Sequence, residues 1–333
     1  HKTYYVFPLF VAALREERYE DALMWAGCIS HSVGDMGALN HPDILWFSHV
    51  CLGASGVMGP GGRSVPAVFA PDTAYGKPMP EVIPNDFLDR FCDIVGRWGM
   101  AGKFSIVPAP GGNGDIVKGI DGFGLSVTRA WIDTMQERLS DRFDFCPEGI
   151  THNLAIDLDT GAYFPDSETA WSQKQTRATL TPYLTRELEY LRDAGINATG
   201  FTSPWVFGID VEEEYIEAMV QAQKTVNDRD FSWYFLHMVS GKPASRPWIA
   251  RREGPTTLVS IPTTVDDVWW ETIDSPRVDR EFVNAIADRV ITADGKEGGV
   301  RRVLDAGGWP VFLSHWQSFF SNGLETGLAA LDE

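Results

Sequence analysis

From about residue 65 onward, short apolar runs alternate with amphipathic stretches of helical period, and no other feature of the sequence restricts the fold as tightly. The runs that read as strands are VPAVFA (65–70), KFSIVP (103–108), FDFCPEGIT (143–151), ATGFTS (198–203), FSWYFLHM (231–238), TTLVSIP (256–262) and PVFLSH (310–315). Between them, NDFLDRFCDIVGRWG (85–99), LTPYLTRELEYLRDAG (180–195), VEEEYIEAMVQAQKTVND (211–228) and DREFVNAIADRVIT (279–292) read as helices. Asn85 is expected to cap the first, and Gly195 to stand just past the end of the second. Strands that alternate with helices return to one sheet in parallel, so the pattern predicts an α/β fold. About seven such strands close economically into a TIM-like barrel.

The first 52 residues follow a different pattern. VAALREERYEDALMWAGCISHSV carries apolar residues at helical spacing, which predicts a helical segment over 1–52. The glycine-rich GASGVMGPGGRS (53–64) reads as a linker, and the barrel is expected over 65–333.

The 46 acidic and 28 basic residues leave a net charge of −18. Such a chain repels nucleic acid unless a basic patch intervenes, and the densest basic cluster, Arg246 to Arg252, is short. A neutral or cationic ligand suits it better. Cys28, Cys51, Cys92 and Cys146 form no CxxC pair, so no thiolate zinc site is expected. No apolar stretch reaches the roughly 18 residues of a membrane span.

Barrels of this kind keep their chemistry at the C-terminal ends of the strands. Asp72 follows the first run. Glu148 and His152 close the third, with Asp157 and Asp159 beyond. Ser203 and Trp205 end the fourth, Asp266 and Asp267 follow TTLVSIP, and the last run delivers His315, Trp316 and Gln317. His237, between Leu236 and Met238, reads as a structural histidine, and DLDTGAY around Asp157 also reads as a polar turn. Carboxylates and imidazoles gathered on one rim suit a borderline divalent cation, Zn2+ foremost.

The order of these pieces over about residues 65–325 resembles the polysaccharide deacetylase (NodB-homology) superfamily. FAPDT resembles its opening aspartate motif, GKFSIVP its following strand, THNLAID a divergent form of its H-x3-H metal motif, and FLSHWQS its final histidine motif. The resemblance implies a distorted (β/α)7 barrel and a metal-dependent hydrolase that removes acetyl groups from a carbohydrate. It implies Asp72, His152 and Asp157 as metal ligands, Asp72 also as catalytic base, and His315 as general acid. Glu148, Ser203, Trp205, Trp316 and Gln317 would then contact the sugar, and the protein would be exported to an extracellular or periplasmic space. The sequence departs from the family in having one aspartate, Asp72, where two adjacent ones are usual, and Asp157 near the place of the second histidine.

A second resemblance covers residues 1–50. HSVGDMGALNH (31–41) is similar to the zinc motif of zinc-dependent phospholipase C and related nucleases. On a helix His31 and Asp35 share a face. With His41 they form an alternative metal set, and a phosphodiesterase is the alternative activity. A barrel that binds carbohydrate without catalysis is a third reading.

Overall fold

The computed structural model describes residues 29–33, 83–112, 114–120, 124–273 and 275–333. They form a mixed α/β structure with two four-stranded sheets and two short hairpins. The strands are β1 (Ile29–Val33), β2 (Ala101–Ile106), β3 (Gly114–Asp115), β4 (Gly119–Ile120), β5 (Phe143–Pro147), β6 (Leu154–Ile156), β7 (Tyr163–Ser167), β8 (Gly200–Thr202), β9 (Phe231–Phe235), β10 (Trp248–Glu253), β11 (Thr256–Ser260) and β12 (Val311–His315). The principal helices are α1 (Asn85–Trp98), α2 (Leu125–Leu139), α3 (Glu168–Ser172), α4 (Arg177–Asp193), α5 (Glu212–Asn227), α6 (Arg280–Val290), α7 (Gly299–Asp305), α8 (Trp316–Phe320) and α9 (Thr326–Asp332).

One sheet runs in the order β12-β1-β2-β5 and is parallel throughout. The other runs β10-β11-β9-β8, with only β10 antiparallel. Two seams link the sheets. Along one, parallel bridges join Phe145 to Ala198 and Glu148 to Thr202, and the Thr199 N–H donates to the Phe145 carbonyl at 3.0 Å. Along the other, Val265 bridges Phe312, the Val265 N–H donates to the Val311 carbonyl at 3.0 Å, and the Leu313 N–H donates to the Val265 carbonyl at 2.9 Å.

The helices cover the sheets with apolar faces. In α1, Phe87, Leu88, Phe91, Cys92, Ile94 and Val95 are buried, a spacing that keeps one side of the helix against β2 and its neighbours. Gly99 ends α1 at φ +65°, and Gly195 follows α4 at φ +85°, as expected of residues past a helix C-terminus. Asn85 is not the cap: Pro84 holds that place, and Asn85 donates instead to the Val127 carbonyl. β2 is buried along all six residues, the burial of a strand covered on both faces.

Two further expectations need correction. ISHSV, assigned by its spacing to a helix within 1–52, is the strand β1. His31 pairs with Lys103 on one side and with Leu313 on the other. Backbone partners on both flanks outweigh a local period carried by Ile, Val and Ser, all modest helix formers. β1 lies between the last strand and β2; the run VPAVFA (65–70) lies outside the described residues. Trp316 is the second correction. It does not face a ligand: it is 2% exposed, with Phe87, Phe91 and Phe104 at ring-centroid distances of 4.6, 5.1 and 5.8 Å. Among the described residues no helix is long and apolar enough to cross a membrane.

Candidate functional site at the strand ends

Parallel pairing puts the C-terminal ends of the strands on one side. Val33 pairs with His315, Ile106 with Pro147, Thr202 with both Glu148 and Phe235, and Ser260 with Tyr234. Three groups of polar side chains stand at these ends.

The first is at β12. His315 Nδ1 lies 2.6 Å from Asp267 Oδ2, which also accepts the His315 backbone N–H at 3.1 Å. The Ser318 hydroxyl lies 3.1 Å from the same oxygen, and Asp267 Oδ1 accepts the Trp269 N–H at 2.9 Å. Every contact fixes the carboxylate, and the carboxylate fixes the imidazole. Trp270 meets the ring edge-on at 4.8 Å. The contact at Nδ1 sets the orientation of the ring. Sequence reasoning placed Asp267 at a strand exit but gave it no role; the readable signal was an acid directly after one strand and a histidine ending the next.

The second group is at β5. Glu148 is 3% exposed; its Oε1 lies 3.5 Å from His152 Nε2, and its Oε2 has no hydrogen-bond partner among the described residues. His152 sits at φ +56°, a conformation costly for a side-chain-bearing residue. Glu168, the first residue of α3, holds it there. One Glu168 oxygen accepts the N–H groups of Ile150 and Thr151 and the hydroxyl of Tyr183; the other accepts the His152 N–H at 2.7 Å. Burial pushes the Glu168 carboxyl upward in pKa, opposed by these hydrogen bonds. Gly149 makes the clasp feasible, because a Cβ there would come within 2.4 Å of Glu168 Oε2.

The third group is at β9 and β11. His237 Nε2 lies 3.3 Å from Glu212 Oε2 and its Nδ1 3.3 Å from Ser260 Oγ, while Tyr234 donates to Glu212 Oε1 at 2.5 Å. Trp248, 40% exposed, lies against the His237 ring at 4.9 Å.

The remaining expected residues are dispersed. Asp157 accepts the N–H groups of Asp159 and Thr160 in the β6–β7 turn, and these bonds hold its pKa low. Ser203 is buried with its hydroxyl 3.1 Å from Tyr215 OH on α5. Gln317 is buried beside Trp316. Trp205 is 54% exposed at φ +55°, at the exit of β8. Asp35, His41 and Asp72 lie outside the described residues.

Among the described residues no three His, Cys, Asp or Glu side chains converge as a complete metal site. His152 Nε2 and the unpartnered Glu148 Oε2 are two neighbouring donors of the nitrogen and oxygen types that Zn2+ accepts. Neither a family model nor a curated protein matches the sequence.

Proposed function

We propose that the protein is a hydrolase that removes acetyl groups from a carbohydrate, working at the C-terminal rim of a distorted seven-stranded (β/α) barrel. The ring reading is supported by the two seams: Phe145–Ala198 and Glu148–Thr202 bridge one sheet to the other, and Val265, past the end of β11, bridges Phe312 of β12. The observation that carries the functional reading is the 2.6 Å contact between Asp267 and His315. It joins the exits of two adjacent strands and presents an oriented imidazole at the rim.

In this reaction His315 hands a proton from Nε2 to the departing amine or alcohol, and Asp267 keeps the ring turned toward it. Trp205 and Trp248 offer exposed aromatic faces at the same rim to apolar sugar surfaces, the part first expected of Trp316. Asp72 remains the expected base. A divalent ion such as Zn2+ belongs to the proposal, with His152 and Glu148 as the described donors; when bound it would polarise the acetyl carbonyl. The strongly acidic chain favours a neutral or cationic glycan.

The test is acetate release from N-acetylated chitooligosaccharides and from acetylated xylan by the Zn2+-loaded protein. His315→Ala should lower kcat by about 10²–10⁴-fold, the range of a lost general acid. Asp267→Asn should lower it less and alter the pH profile. Full activity in both variants, with circular dichroism unchanged, would remove the basis of the assignment.

A further inference from the structure

Lys103, in the middle of β2, is fully buried. Its ammonium nitrogen donates to Thr202 Oγ1 at 2.6 Å and to Ser105 Oγ, and lies 5.1 Å from the centre of the Phe235 ring. Cys146 Sγ lies 3.2 Å from Thr202 Oγ1, and Glu148, two residues further along from Cys146, is bridged to Thr202. No carboxylate among the described residues forms an ion pair with Lys103; its hydrogen-bonding neighbours are neutral. A buried lysine whose hydrogen-bonding neighbours are neutral is costly to charge, even with the Glu148 carboxylate acting on it from beyond them, and an uncharged primary amine is a nucleophile. Just beyond this cluster stands Glu148, whose Oε2 has no hydrogen-bond partner among the described residues.

We propose that Lys103 is a carbonyl-reactive amine that forms an imine with a small aldehyde or ketone entering from the rim. In the step, the Nζ lone pair bonds to the carbonyl carbon and the carbonyl oxygen takes a proton. The nitrogen then gives up its protons through the Ser105 and Thr202 hydroxyls as the carbon–oxygen bond breaks, and water leaves. Amine and carbonyl become imine and water with no oxidant or reductant. The environment supports the uncharged form: burial lowers the Lys103 pKa to about 8. This inference rests on the ring of strands but not on deacetylation.

The test uses the native protein with glyoxylate and sodium cyanoborohydride at pH 8, followed by peptide mapping. An ordinary lysine near pKa 10.4 is about 0.4% neutral at that pH, against about half for Lys103. Lys103 should therefore be the first lysine carboxymethylated, at least about tenfold ahead of exposed Lys118 and Lys174. The preference should vanish in urea-unfolded protein, and the Lys103 peptide should stay unlabelled in Lys103→Met. If surface lysines react while Lys103 is labelled only after unfolding, the amine is a structural cation and the proposal falls. Acetate release is unaffected by either result, so the two readings fail separately.

Discussion

Lys103 and Trp316 show how far one side chain departs from what its neighbours in sequence suggest. Inside an apolar-looking run, KFSIVP, the lysine reads as the polar start of a strand, yet it lies deep within it. Its folded pKa of about 8 lies below the ordinary 10.5, so the folded protein binds fewer protons than the unfolded chain between those values. Stability therefore rises as pH climbs from about 8 to 10.5, and the full penalty is present below pH 8. Lys103→Met, which roughly keeps the volume, should raise the free energy of unfolding at pH 7 by up to about 3 kcal/mol, with the gain fading by pH 10. Urea titrations at the two pH values check this; a gain independent of pH would point to packing instead. Trp316→Ala should cost about 3–5 kcal/mol, the usual price of deleting a core aromatic, and should lower the urea midpoint in the absence of any ligand. If that variant kept its stability and lost only glycan affinity, the ring would be a ligand platform after all.

At the scale of elements, much was legible because the periods are strong. KFSIVP at 103–108 became β2 at Ala101–Ile106, and PVFLSH at 310–315 became Val311–His315. The helix read at 211–228 is Glu212–Asn227, where three glutamates in the first turn favour the positive end of the helix dipole. What escaped was weakly periodic or dependent on distant partners. LSVTRAWIDTMQERL, the helix α2, mixes polar and apolar residues and buries only Thr128, Trp131, Ile132, Met135 and Leu139. ISHSV is five residues long, and its identity is decided by β2 and β12. In the candidate site, His152 and His315 were singled out because they follow apolar runs in the sequence. Glu168 was not, because its part depends on a fold-back of α3 onto the His152 loop that no local spacing announces.

The molecule as a whole depends on whether its two sheets behave as one. Among the described residues the linking backbone bonds are few: the Thr199 donor on one seam, and Thr264, Val265 and Leu313 on the other. If the sheets form a continuous ring, they should open together, because neither can lose its edge without exposing the other's backbone. Native-state hydrogen exchange should then give the amides of Val265 and Leu313 the same opening free energy as those of Phe104 and Val259, each inside a sheet. Distinct energies for β8–β11 and for β1, β2, β5 and β12 would show two independent units and break the ring.

The pairing of Val33 with His315 sets a condition on timing. The strand that bears the histidine docks onto one encoded near the opposite end of the described chain. On a ribosome that adds about 5–20 residues each second, β1 must wait through synthesis of everything between Val33 and Val311 before its second neighbour emerges. Until then the Asp267–His315 contact cannot exist. The nascent protein would reach the cell's folding machinery with an unzipped gap beside β1, chemically silent until the last strand slots in.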